Sequence, residues 1–146
     1  MQIHEGLADF PSIPHAVVTS GTFDGVHLGH QKILHRLNQL AKKSKGETVL
    51  LTYWPHPRLV LYPKEHHLRL LSTFQEKVAL LRDFGIDHLI TLPFTQEFSQ
   101  LSSVDFIQQI LVEKIQTKCL VIGYDHKFGK NREGSFDYLQ AHSKAL

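Results

Sequence analysis

Two hydrophobic periods alternate along this chain. Short apolar runs rich in β-branched residues give way to stripes spaced three and four apart, then return. "HAVVTSG" (15–21) reads as a buried strand ending in glycine. From Leu28 to about Ser44 the apolar positions Ile33, Leu34, Leu37, Leu40 and Ala41 fall on one helical face. Lys42 to Gly46 closes that helix, placing cations where its dipole favours them. "TVLLTYW" (48–54) is a second strand. The prolines at 55 and 57 have no N–H for a ladder, so the chain leaves the sheet at an edge or stops there. The stretch 58–71, which holds Pro63, His66 and His67, has no clean period and predicts no element. Thr73 with Glu76 forms a capping-box pattern ahead of the stripe Phe74, Val78, Leu81, and Gly85 marks the stop. "DHLITLPF" (87–94) is a third strand. Ser102 with Asp105 starts a helix carrying Phe106, Ile107, Ile110, Leu111 and Ile115, and "KCLVIGY" (118–124) is a fourth strand. A last helical pattern runs from about Ser135 to the final residue, Leu146.

Strand and helix thus alternate, which predicts an α/β fold: a mostly parallel sheet with helices on both faces, in a single domain of 146 residues. Composition changes little in this picture. With 42% hydrophobic and 21% charged residues the chain has the make-up of an ordinary globular protein. The net charge of +2 gives no footprint for nucleic acid, and no apolar run reaches membrane-spanning length, so neither partner is expected. The single cysteine, Cys119, excludes an internal disulfide and a four-cysteine zinc site, and suits a reducing cytoplasm.

Ligands of parallel α/β sheets bind beyond the carboxyl ends of the strands, and the unusual residues of this chain cluster there. Of nine glycines, those at 21, 25, 29, 123, 129 and 134 follow the first and fourth of these strands. "GTFDGVHLGH" (21–30) fits neither the dinucleotide fingerprint nor a P-loop. An anion fits better. The helix start offers unpaired N–H groups, Gly29 leaves room for a bulky group, and His27 and His30, three apart, face one side as donors to a phosphate. Other readings stay open. In a chain with eleven histidines the pair is compatible with a plain surface role, and the glycines with strand-to-helix packing. Zinc fits less well, since the H-E-x-x-H spacing is absent and no cysteine lies nearby. No Ser-His-Asp pattern is present, and Cys119 falls inside a predicted strand, so direct transfer is expected rather than a covalent intermediate.

"GTFDGVHLGHQ" resembles the H-x-G-H signature of the nucleotidyltransferase superfamily. Its wording, with "TYWPHP", "EKVALLRDFGID", "LPFTQEFSQLSSVDFI" and "VIGYDHKFGKNREGS" in order, is most similar to the adenylyltransferase half of bacterial FAD synthetases, the bifunctional riboflavin kinase/FMN adenylyltransferases. The resemblance covers nearly the whole chain. It implies a Rossmann-like nucleotidyltransferase fold, transfer of AMP from ATP to FMN, and Mg²⁺ as cofactor. His27 and His30 would contact the ATP phosphates and stabilise departing pyrophosphate. Gly21, Phe23, Asp24, Gly25 and Gly29 would shape the nucleotide pocket, and Pro55, His56 and Pro57 would border the flavin side. Asp125 would sit near Mg²⁺ and nucleotide, with Lys127 and Arg132 on phosphate. Three positions depart from the pattern: His126 stands where Phe is usual, and Tyr53 and Trp54 stand near a usual Thr-Phe pair. A Ser/Thr-rich stretch ending in arginine and the riboflavin kinase half are not in these 146 residues. The resemblance therefore implies an incomplete adenylyltransferase domain at 1–146, with the kinase domain expected in the same full-length polypeptide. Rival readings are another H-x-G-H enzyme, of the pantetheine-phosphate adenylyltransferase or cytidylyltransferase type, and a non-catalytic nucleotide-binding module.

Overall fold

A computed structural model describes residues 1–64 and 67–142. His66 and the helical pattern anticipated over residues 143–146 lie outside the described residues. Five strands form one sheet: β1 (Gln2–Glu5), β2 (Val17–Ser20), β3 (Thr48–Trp54), β4 (His88–Pro93) and β5 (Cys119–Leu120). Their order is β1-β4-β3-β2-β5, and every neighbouring pair is parallel. Val17 pairs with Thr48 and Cys119, Val49 with His88, and Gln2 with His88.

Side chains alternate across the three central strands, so each strand feeds two cores. Val18, Val49, Leu51, Ile90 and Leu92 join Phe106, Ile107, Ile110, Leu111 and Ile115 on one face. Val17, Leu50 and Leu89 join Leu34, Leu37, Ala41, Val78 and Leu81 on the other. The second core is roofed by helices α1 (Leu28–Ser44) and α3 (Phe74–Asp83), the first by α5 (Ser103–Asp105) and the π-helix that continues it, Phe106–Lys114.

The local signals explain the boundaries. Thr73 and Glu76 close a reciprocal capping box, with the Glu76 N–H donating to Thr73 Oγ1 at 3.2 Å and the Thr73 N–H donating to Glu76 Oε2 at 2.8 Å. Gly85 takes φ +72° after α3, and the Asp105 N–H donates to Ser102 Oγ at 3.1 Å at the start of α5. The prolines at 55 and 57 follow the end of a central strand rather than an edge, and Pro57 opens a short helix, α2 (Pro57–Leu61).

Four features differ from the sequence-based expectation. β1 was not anticipated, because "QIHE" is mostly exposed and carries no apolar alternation; it holds the sheet edge only by pairing with β4. The strand expected over 118–124 is paired only at Cys119–Leu120, after which the chain turns, His126 N–H donating to the Gly123 carbonyl at 3.1 Å. The helix after Ser102 widens to π geometry, with Ile115 N–H bonded to the Ile110 carbonyl at 3.0 Å. Its apolar spacing of one, three, one and four residues serves either period. Two short helices, α2 and α4 (Gln96–Ser99), lie in stretches too short for a periodic signal, and the helix expected from Ser135 is α6 (Phe136–His142).

Candidate active site at the carboxyl end of the sheet

Because the sheet is parallel throughout, residues 21–27, 55–73, 94–102 and 121–135 all emerge at one end. The first of these is unusual backbone. Phe23 (φ 49°), Gly25 (φ 66°) and Val26 (φ 41°) are left-handed, a conformation costing about 1–3 kcal/mol at a non-glycine position. Phe23 and Val26 are buried at 1% and 2% exposure, so packing into the α1/α3 core holds them there. Gly25 meets the 70–72 loop so closely that a Cβ would lie 2.7 Å from Leu71 Cβ. Asp24 fastens the same loop. Its carboxylate accepts from Leu71 N–H at 2.9 Å, Ser72 N–H at 3.1 Å and Ser72 Oγ at 3.3 Å.

The fold brings the two histidines together. His27 is the N-cap of α1, its Nδ1 accepting from His30 N–H at 3.4 Å, and the two rings stack with centroids 3.6 Å apart. Gly29 leaves this stack its space, since a Cβ there would come 3.1 Å from His27 Cε1. Burial first, and His27 second, push the His30 imidazole down to about 4, with Asp24 and Asp125 opposing and Lys77 adding. His30 is therefore neutral at pH 7, and its Nδ1 is buried with no hydrogen-bond partner among the described residues. Its other face lies 4.7 Å from the Phe23 ring.

A cleft of about 1110 Å³ opens beside this turn, lined by Gly21, His56, Pro57, Asp125, Lys127 and Arg132 and by the aromatic residues Tyr53, Phe94, Phe98 and Phe106 among others. Six anticipated site residues thus share one cleft. Phe23, Asp24, Gly25, His27, Gly29, His30 and Pro55 are not in its wall, although Asp125 acts on His30 through its charge. His56 caps α2, its Nδ1 accepting from Arg58 N–H at 3.2 Å. Burial lowers its pKa, Asp24 opposing. His126, which departs from the family pattern, is within 3.3 Å of Ser20 Oγ through Nε2 and is lowered by burial. It ties the 121–135 loop to the end of β2.

One residue at this end escaped the sequence reading. Lys77 of α3 is only 5% exposed and reaches under the turn to the Thr22 carbonyl at 3.1 Å. A signal existed: Lys77 lies three residues after Phe74 and four before Leu81, on the apolar stripe of an amphipathic helix. Among the described residues no group of three or more His, Cys, Asp or Glu is arranged to hold a metal ion, and Asp24 is committed to its loop. Among the residues that line the cleft Asp125 is the carboxylate, and its charge reaches His30; one or two carboxylates together with phosphates are the usual ligands of Mg²⁺.

A bifunctional riboflavin kinase/FMN adenylyltransferase of Buchnera aphidicola subsp. Schizaphis graminum is 37% identical over 141 residues, 96% of this chain and 45% of that protein. The Escherichia coli K12 protein of the same description is 32% identical over 142 residues, again 96% and 45%. The chain thus spans about half the length of the curated relatives it matches. A solved Streptococcus pneumoniae structure, described as a macrolide-efflux protein, superposes with a TM-score of 0.83 at 25% identity over 96% of this chain and 46% of that one. Among the described residues of this chain no helix is long and apolar enough to cross a membrane. The family model for FAD synthetase matches residues 10–146, and the chain belongs to that family.

Proposed function

We propose that this chain carries an FMN adenylyltransferase site, which moves AMP from ATP to FMN to give FAD and pyrophosphate. The observation that carries the reading is the His27–His30 stack at the start of α1, where a neutral His30 keeps a buried ring nitrogen with no partner among the described residues and feels the charge of Asp125. A polar atom left without a partner at a helix N-terminus is matched by a phosphate oxygen.

In this reading a phosphate oxygen of FMN attacks the α-phosphorus of ATP in line. A bond forms between them, the bond from that phosphorus to the bridging oxygen of the β-phosphate breaks, and pyrophosphate leaves with the electron pair. His27 and His30 donate hydrogen bonds to the phosphates, stabilising the charge that gathers on the leaving group. Lys127 and Arg132 line the cleft beside this turn as further cations. The turn of Gly21, Phe23, Asp24, Gly25 and Gly29 shapes the nucleotide side. Pro55, His56 and Pro57, with the aromatic wall of Tyr53, Phe94 and Phe98, take the flavin side. Asp125 would hold a Mg²⁺ carried on the ATP phosphates, which when bound neutralises phosphate charge. Catalysis rests on positioning and charge stabilisation.

The names of the relatives support a wider reading, that residues 1–146 act within a bifunctional polypeptide whose other half is a riboflavin kinase; the single cysteine suits a cytoplasmic setting. Pyrophosphate release and FAD formation from FMN, ATP and Mg²⁺ test the site. FAD formed in step with pyrophosphate is the expected result. Release that requires pantetheine phosphate or a cytidine nucleotide instead would transfer the site to another H-x-G-H reaction, and ATP binding with no release under any acceptor would make it a binding module.

A further inference from the structure

Lys77 is a buried ammonium with no counter-ion in ion-pair range among the described residues. It donates to the Thr22 carbonyl at 3.1 Å and to Thr52 Oγ1 at 3.2 Å, both neutral oxygens. The Thr52 hydroxyl uses its own proton on that same Thr22 carbonyl, at 3.3 Å. The Trp54 and Phe74 ring centroids lie 5.8 and 5.7 Å from Nζ, at the outer limit of a cation–π contact. Among the described residues no carboxylate stands within ion-pair range of Nζ. Asp24, the charge that favours its protonated state, has turned its oxygens to Leu71 and Ser72.

Such burial is costly, and a charge so placed is normally neutralised by a partner or by losing its proton. Lys77 stands near the second outcome: burial pulls it down to about 8, with Asp24 opposing. An ammonium has three protons to donate, and two are used. Its location accounts for the third. Thr22 belongs to the turn that leads into the histidine stack, Thr52 to the end of β3, and the Lys77 charge lowers both His30 of α1 and His56 ahead of α2. Thr22 lines the cleft, so the cation that holds its carbonyl stands directly behind the cleft wall, at the turn that leads into the histidine stack.

We propose that Lys77 is a phosphate-binding residue of the transfer site, its third N–H donating to a phosphate oxygen lodged between His30 and His56. This rests on the reading of the site as one for phosphate esters. The phosphate comes either from the polyphosphate of the nucleotide or from the phosphomonoester of the acceptor. The two sources share the same chemistry and differ in the experiment below. Arrival of that anion supplies the counter-charge the fold withholds, so ligand binding and protonation of Lys77 strengthen each other. Asp24, His30 and His56 share charge effects with Lys77, and His27 and Asp125 act on His30 as Arg58 acts on His56, so these are the charged groups around this position.

The test follows the side-chain carbon signal of Lys77 through its titration in ¹³C-lysine protein, alone, with inorganic pyrophosphate and with FMN. Alone, Lys77 titrates well below an ordinary lysine. The ligand whose phosphate it holds raises its proton affinity by about tenfold or more, and the arm that does so names the source. In calorimetry, Lys77→Met binds that ligand about tenfold more weakly or worse, and Lys77→Arg keeps part of the affinity. The titration uses the unaltered chain, so it decides the matter even if Lys77→Met fails to fold. If pyrophosphate and FMN both bind and neither moves the Lys77 titration, the proposal is overturned while the transferase reading stands. If neither binds, both fall.

Discussion

His27 and His30 stack ring on ring, with centroids 3.6 Å apart and planes 19° from parallel. The stack exists because His27 is the N-cap of α1 and His30 lies in its first turn, one above the other on the helix, while Gly29 between them adds no side chain. His27 Nδ1 takes the His30 N–H, and the N–H groups of Leu28 and Gly29 have no partner within the helix. Replacing either ring by alanine in the full-length protein is expected to slow adenylyl transfer about 10²-fold, the scale of losing one preorganised donor, while FMN binding changes little. Single-turnover pyrophosphate release measures this, and an unaltered rate in both variants would remove the phosphate role.

The burial of His30 also links stability to pH. Its pKa falls from 6.5 in the unfolded chain to about 4 when folded, so between those values the unfolded state binds more protons. Stability is thus fully present above about 6.5 and declines as the pH drops toward 4. His56 and His126 are lowered as well and act in the same direction. Urea denaturation across this range should show a shallower decline for His30→Asn than for the wild type. Parallel declines would mean that His30 is not held neutral in the fold.

Asp24 serves the loop before it serves any ligand. Its carboxylate takes Leu71 N–H, Ser72 N–H and Ser72 Oγ, so Asp24→Asn sets an amide NH₂ against a cluster of donors. The expected loss is about 1.5–3 kcal/mol, the range for hydrogen bonds to a charged group. Removing the charge also lowers Lys77, His30 and His56 further, since Asp24 raises all three. Denaturation with histidine NMR reads both effects, and unchanged stability with an unmoved His56 would contradict the assignment.

At the opposite end of the sheet, His88 begins β4 at 4% exposure, pairing through Nε2 with Glu47 Oε2 at 2.8 Å and through Nδ1 with His4 Nε2 at 3.1 Å. Glu47→Ala leaves a buried ring nitrogen unpaired, at an expected cost of about 1–3 kcal/mol. Pyrophosphate and ATP affinity should stay at wild-type values, because Glu47 precedes β3 at the end away from the cleft. A stability loss accompanied by weakened ATP binding would show that the two ends are coupled.

Local chemistry decided what the sequence could show. The capping box of Thr73 and Glu76, the Ser102 cap, the Gly85 stop and the α1 stripe depend on neighbours within four residues, and all of them stand in the structure. The alternation of period two and period three to four was enough for a parallel sheet, since such strands are buried on both faces. The H-x-G-H turn was legible for the same reason: its glycines and histidines act within one helical turn.

What depended on distant partners was not legible. β1 is polar and exposed, and only pairing with β4, more than eighty residues on, makes it a strand. The fourth predicted strand stops at Leu120 because the chain beyond it turns into the cleft, a matter of tertiary space rather than of its apolar residues. Asp24 reads in the sequence as part of a nucleotide turn, but the fold commits its carboxylate to residues 71 and 72. Lys77 reads as a charge on a helix, and the fold buries it between Thr22 and Thr52, far apart in the chain. The sequence by itself determined the capped helices, the buried central strands and the histidine turn, because their causes are local. The tertiary structure alone decided which charges lost their water, because desolvation is set by everything that packs around a group.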